Sequence, residues 1–232
     1  MQRRQFNHSI VFGTLVLGAY QQAWALSLAD LTDQDASSGL KAALEKGALA
    51  AVGLLGRPDG FLGNPKVRIP LPGYLDDAAR LLKTMGQGKR VDELVTSMNR
   101  AAESAVPMGQ QLLVGAVKNM SVTDAKGILT GGEDSVTRFF ASKTREPLGE
   151  TFLPVVTKAT EKVGLAASYN RVAGRAAGLG LLRKDEANIE RYVTGKTLDG
   201  LYTIIGEEER KIREDPVGAG SAILKKVFGA LK

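Results

Sequence analysis

The sequence predicts an all-α protein: an irregular bundle of about eight helices, with one long loop rich in proline and glycine. Three observations predict it. Apolar residues recur at three- and four-residue spacing along most of the chain. No tract of alternating apolar and polar residues is long enough to found a sheet. One stretch, residues 56–72 (GRPDGFLGNPKVRIPLP), cannot be helix, because Pro58, Pro65, Pro70 and Pro72 remove backbone donors and fix φ. At 232 residues the chain is long enough to bury a substantial core. Hydrophobic residues at 44% and charged residues at 24% are ordinary for a globular protein.

The chain opens on a targeting pattern. Arg3 and Arg4 precede an apolar run, residues 10–19 (IVFGTLVLGA), and Ala23-Trp24-Ala25 is a small-x-small cleavage site. The expectation is a cleaved signal peptide over residues 1–25, a single helical domain over residues 26–232, and a periplasmic location. The apolar run is short of the roughly 20 residues that span a bilayer, so the mature chain is not expected to be membrane-spanning. Arg3-Arg4-Gln5-Phe6 has the twin-arginine form R-R-x-F, which leaves that export route open beside the ordinary secretory one.

Cleavage removes His8, the sole histidine, and cysteine is absent throughout. The mature chain then excludes Cys-bearing zinc sites, thiol nucleophiles, disulfides and Ser-His-Asp triads. No D-x-D-x-D-G loop is present, so no metal and no cofactor is expected. Formal charge falls from +6 to +4, because the signal holds two basic residues and no acidic one. That mild balance, with aromatics at 6%, gives no footing for a nucleic-acid partner.

Taken in order, Thr32 with Asp35 forms a capping box for a first helix, whose stripe is Leu40, Leu44, Ala48, Ala51 and Leu55. Gly56 ends it. Within the loop, Asp59-Gly60 and Asn64-Pro65 are turn dipeptides. Val67, Ile69 and Leu71 alternate with Lys66, Arg68 and Pro70, an extended pattern with no sheet to join. Leu75, Ala78, Ala79, Leu82 and Met85 form an amphipathic helix closed by Gly86. Val91, Leu94, Val95, Met98, Ala102 and Ala105 form the next, kinked at Pro107 and continued by Leu113 and Val117.

Ser121 or Thr123 caps a short helix ending at Gly131-Gly132, and Thr130 with Glu133 offers a further capping box. Val136, Phe139 and Phe140 form one apolar face. Phe152, Val156, Ala159 and Val163 form another, with Pro154 in its first turn, and Tyr169 and Val172 extend it. Residues 174–184 read as a linker or helix end. Asp185 caps a helix with Ile189 and Val193, and a further one carries Leu198, Leu201, Tyr202, Ile205 and Ile212. On its outer side Glu207 faces Lys211 and Glu209 faces Arg213 at i, i+4. Asp215-Pro216 stops it and starts a last helix with Ile223, Leu224, Val227 and Leu231.

Several of these stretches together resemble a family. They are the loop GRPDGFLGNPKVRIPLP, SMNRAAE at 97–103, MSVTDAKGILTGG at 120–132, YVTGKTLDGLYTIIGEEERKIREDP at 192–216 and LKKVFG at 224–229. The resemblance is to exported bacterial proteins grouped as the domain of unknown function DUF4197. It implies an all-helical fold and an envelope location, and it carries over no activity and no catalytic residue.

Three local patterns look like chemistry. Gly195-Lys196-Thr197 has the ending of a phosphate-binding loop, but Glu190 stands where the leading glycine belongs, so a helix junction is expected. Ser38-Gly39-Leu40-Lys41 matches S-x-x-K without its partner motifs, so an exposed helix face is expected. Glu103-Ser104 suggests the glutamate of helical enzymes that cleave peptidoglycan, where an apolar pocket must keep the acid protonated.

Asn99 lies at the edge of an apolar stripe. A buried amide needs partners, and so does loop backbone, so Asn99 or Arg100 is expected to hold the loop. Arg57, Asp59, Asn64 and Arg68 on the loop, with Asp124 and Lys126, are the remaining polar candidates for binding or loop anchoring. Arg68 suits an anionic ligand, since its planar fork matches carboxylate or phosphate.

The expected function is that of a binding or structural module whose interhelical groove, lidded by the loop, takes an apolar small molecule or a partner helix. The alternative is a cell-wall glycan hydrolase or lyase with Glu103 as general acid. A third reading is a homo-oligomer docked through residues 219–232.

Overall fold

The computed structural model describes residues 33–132, 134–180 and 187–215. Among them are eight α-helices and no strand: α1 (Asp33–Leu55), α2 (Asp76–Thr84), α3 (Gly88–Ala105), α4 (Gln110–Lys118), α5 (Val122–Leu129), α6 (Ser135–Thr160), α7 (Gly164–Gly178) and α8 (Ile189–Glu214). Short 3-10 turns precede α2 and α4. The all-α class is as the periodicity predicts. The caps expected at Thr32 and Asp185, the Glu133 partner expected for Thr130, and the last helix after Pro216 lie outside the described residues.

The centre is the pair α6 and α8. Helix α1 packs on α8 and on α4, α3 packs on α6, and α2 rests chiefly on α3 at the periphery. Fully buried Leu40, Leu44, Leu55, Phe140, Phe152, Leu201 and Ile205 share one continuous core. Gly109 allows close approach at this centre, since a β-carbon there would lie 2.6 Å from Leu148 and 2.9 Å from Phe152.

Helix α6 corrects the expected division into two helices. It runs unbroken through Pro147 and Pro154. Each interior proline costs about 3 kcal/mol. Against that, Phe140, Thr144, Leu148, Phe152, Val156 and Thr160 recur every four residues and are all buried. The four apolar members alone return about 1.5–3 kcal/mol each, which matches or exceeds the cost of two prolines. The Phe152 stripe does not extend to Tyr169, because residues 161–163 turn the chain before α7 begins.

Helix α8 is likewise one helix where a junction was expected at Gly195-Lys196-Thr197. The Thr194 and Thr197 hydroxyls, both buried, donate to the carbonyls of Glu190 and Val193 one turn back. Their polar groups are met inside the helix. Asn188 caps it, its side chain accepting from the Arg191 N–H at 2.8 Å.

At Pro107 the chain does more than kink. Residues Val106–Gly109 form a 3-10 turn and a separate helix, α4, follows. Ser121 caps α5 in a capping box closed by Asp124, one of the two alternatives read from the sequence.

Candidate functional site

The loop of residues 56–72 is a chain of tight turns that ends in an extended arm. Gly60 N–H donates to the Arg57 carbonyl, Gly63 N–H to Asp59 and Asn64 N–H to Phe61, at 3.0–3.2 Å. Asp59 sits at φ 64°, a left-handed conformation that aspartate tolerates better than most residues. Gly60 is obligatory in its place, because a β-carbon there would lie 2.4 Å from the Leu55 carbonyl oxygen. Asn64 closes an Asx turn, its Oδ1 accepting from Lys66 N–H at 3.1 Å. The apolar members Phe61, Val67 and Ile69 are buried in the common core.

Helix α3 holds the loop by two side chains one turn apart. Asn99, fully buried, accepts from Ile69 N–H through Oδ1 at 2.9 Å and donates through Nδ2 to the Ile69 carbonyl at 2.9 Å. The amide thus meets both backbone groups of Ile69, as a neighbouring strand would. This is why the extended arm needs no sheet. A further Nδ2 bond to the Val95 carbonyl, at 2.8 Å, fixes the amide.

One turn on, Glu103 is 4% exposed. Its Oε1 accepts from the N–H groups of Phe61 and Leu62, both at 3.0 Å. Its Oε2 faces Arg100 Nη1 at 2.6 Å, and Arg100 Nη2 reaches Asp59 at 2.8 Å. The Glu103 hydrogen bond raises the Arg100 guanidinium above its ordinary range; burial opposes it, and Asp59 adds to the rise.

Helix α8 holds the loop from the other side. Tyr192 hydroxyl donates to the Pro70 carbonyl at 3.2 Å, and Lys66 pairs with Glu207 at 2.9 Å. Glu207 therefore faces the loop in place of the expected Lys211, which instead meets Glu208 at 2.6 Å. Gly200 lets the loop lie flat on α8, since a β-carbon there would be 2.9 Å from the Phe61 ring and 3.2 Å from Val67.

Between the loop's outer end, α2 and α3 lies a groove of about 400 Å³. Pro70, Leu71, Ala79, Val91 and Val95 give it apolar walls, and Arg68, Arg80 and Lys83 stand around it with Asp92. Arg68 is exposed on the loop. Lys83 lies 3.6 Å from Asp92.

The structure thus gathers Asp59, Asn99, Arg100 and Glu103 into one latch, and sets Arg68 on the groove beside it. Asn64 acts within the loop, and Arg57 is exposed where the loop begins. Asp124 is elsewhere, in the cap of α5. Bonds from the Ser121 hydroxyl and N–H, with Lys143 at 3.7 Å, hold its carboxyl below the usual range. Lys126 belongs to that same helix. Lys41 of the S-x-x-K pattern reaches the Lys118 carbonyl at 3.1 Å, at the end of α4.

Two partners escaped sequence reasoning. Tyr192 and Glu207 lie 122 and 141 residues from the loop residues they hold, with no local pattern to reveal them. Glu103 as a loop anchor was legible in principle: it follows Asn99 by four, so both side chains share one helix face.

A second buried cluster fixes the start of α8. Glu190 accepts from Asn170 Nδ2 at 2.9 and 3.1 Å, while Asn170 Oδ1 accepts from Ile189 N–H at 2.9 Å. Among the described residues, no group of three or more acidic side chains is placed to hold a metal ion, and no helix is long and apolar enough to cross a membrane.

The fold and latch define an all-helical scaffold clasped by one proline-stiffened loop. The chain belongs to the family described as protein of unknown function DUF4197, which it matches over residues 30–229. No curated protein and no solved structure matches it.

Proposed function

We propose that the chain is an exported binding module of the bacterial envelope, processed after Ala25, which takes an elongated amphipathic ligand in the groove between the loop, α2 and α3. One observation carries the reading: the latched loop forms a fixed wall of that groove and brings the Arg68 guanidinium to an apolar cleft. Its volume, about 400 Å³, falls in the range of ligand sites, about 300–1,000 Å³. The apolar body would lie on Leu71, Ala79 and Val95, and an anionic end would meet Arg68, whose fork suits carboxylate or phosphate.

The latch makes this wall rigid before any ligand arrives, which reduces the ordering cost of binding. Glu103 serves here as the acceptor that seats the loop. Both its oxygens are engaged by donors, and it does not line the groove.

The test is titration of a fluorescent fatty-acid probe into the purified protein, beside native mass spectrometry of protein drawn from the envelope. Arg68→Ala is expected to weaken probe binding about tenfold, the loss of one charge-assisted contact of about 1.5 kcal/mol. Val95→Trp, which fills the cleft, is expected to abolish it. Equal binding by wild type and both variants refutes the reading.

A further inference from the structure

We infer that helix α2 is a hinged lid, whose outward swing admits the ligand to the groove. The inference rests on the groove reading above and deepens it by assigning the way in. Its ground is that the three walls of the groove are held unequally. The loop wall is latched by Asn99, Glu103 and Tyr192. The α3 wall belongs to a helix that buries Leu94, Met98, Ala101, Ala102 and Ala105 in the common core. The third wall, α2, has no anchor of either kind and rests chiefly on α3.

Nothing within α2 makes good the difference. It is nine residues long, and a helix that short is marginal in water on its own. No side-chain hydrogen bond caps its start at Leu75. Among its described side chains none is buried: Ala79 and Leu82 are half-buried, and Arg80, Leu81, Lys83 and Thr84 are exposed. Asp76 and Asp77 at its start and Lys83 near its end suit the helix dipole, a gain small beside that of a buried stripe. Lys83 lies 3.6 Å from Asp92 on α3, but both side chains are more than half exposed, where water weakens such a pair.

The helix lies between two fixed points. Leu75, in the turn before it, packs against the core. At its far end Gly86, at φ +77°, turns the chain into α3 through a Schellman motif. Gln87 N–H donates there to the Leu82 carbonyl at 2.8 Å, and Gly86 N–H to the Lys83 carbonyl at 3.1 Å. A β-carbon at Gly86 would meet nothing within 4 Å, so no packing fixes the joint. Elements that open for ligands are drawn from the least stable parts of a fold, and their hinges are a few residues at element ends. Ala79, Arg80 and Lys83 are the residues by which α2 faces the groove, so its displacement widens the groove and leaves latch and core in place.

Hydrogen exchange of the chain, as purified from producing cells, tests whether α2 opens. Amides of residues 79–84 are expected to exchange at least about a hundredfold faster than those of residues 94–105. Low denaturant should leave their rate unchanged, since a local opening exposes little surface. Protection of α2 equal to that of α3 overturns the inference.

A crosslink tests the gate itself. The chain has no cysteine. A β-carbon on Gly88 would lie 3.9 Å from the Lys83 β-carbon, within the separation of about 3.5–4.5 Å that a disulfide requires. Lys83→Cys with Gly88→Cys, once oxidised, therefore fixes the joint. Stopped-flow association of the fluorescent fatty-acid probe is expected to be at least about tenfold slower in the oxidised than in the reduced form of this one variant. Exchange over residues 79–84 should slow with it, and reductant should restore both. A probe that enters the two forms at one rate overturns the gate and leaves the groove reading standing. A wild-type chain that binds no probe refutes the groove reading, and the gate falls with it.

Discussion

Asn99 does for Ile69 what a strand would do. Its amide offers one acceptor and one donor at the spacing of a peptide group, and both are used on the same loop residue. The site is fully buried, so no water replaces the amide once it is lost. Asn99→Ala leaves the Ile69 N–H and carbonyl without partners, at about 1–3 kcal/mol each. The expected outcome is a fall in unfolding free energy of about 2–6 kcal/mol, measured by denaturant titration, with faster proteolysis within residues 56–72. A variant as stable and as resistant as wild type would remove the latch from the account. Glu103 works beside it through charge, holding two loop N–H groups and orienting Arg100 onto Asp59. The buried amide was legible from its place at the stripe's edge, because a helix position fixes which way a side chain points. The role of Glu103 was less so, because an acid beside a core stripe reads equally as catalyst or anchor until its partners are placed.

At the scale of elements, α8 makes opposite demands on two of its glycines. Gly200 is pressed by Phe61 and Val67, both buried, while a β-carbon at Gly195 would meet nothing within 4 Å. Gly200→Ala should therefore destabilise by about 1–3 kcal/mol through overpacking. Gly195→Ala should stabilise by about 0.5–1 kcal/mol through helix propensity. Thermal melts of the two variants test the seat of the loop on α8, and shifts of the same sign would contradict it. Helix ends were mostly readable, since Gly56, Gly86 and Ser121 act through local backbone chemistry. The continuity of α6 was not. Pro147 and Pro154 are local signals to stop, and they are overruled by a buried stripe whose partners lie on α3 and α8.

For the whole molecule, the N-terminal pattern bears on where the scaffold works. Cleavage after Ala25 is expected to leave Leu26 as the first residue of protein recovered from the periplasmic fraction, as read by intact-mass spectrometry. An intact Met1 in that fraction, or retention in the cytoplasm, would contradict the proposed export. If residues 1–25 are removed as proposed, no histidine and no cysteine remains in the chain. The proposed site then has the latched loop, apolar walls and the Arg68 guanidinium to work with. Helical class, the loop's place in the chain and the missing chemistries were all available from residue order. Each follows from periodicity, ring closure in proline or plain composition, which act within a few residues. Which partners grip the loop, and which prolines are overridden, was settled only by packing. Lys66 with Glu207 and Tyr192 with Pro70 join positions more than a hundred residues apart, and burial on both sides of a helix can outweigh a local cost that the chain alone makes visible.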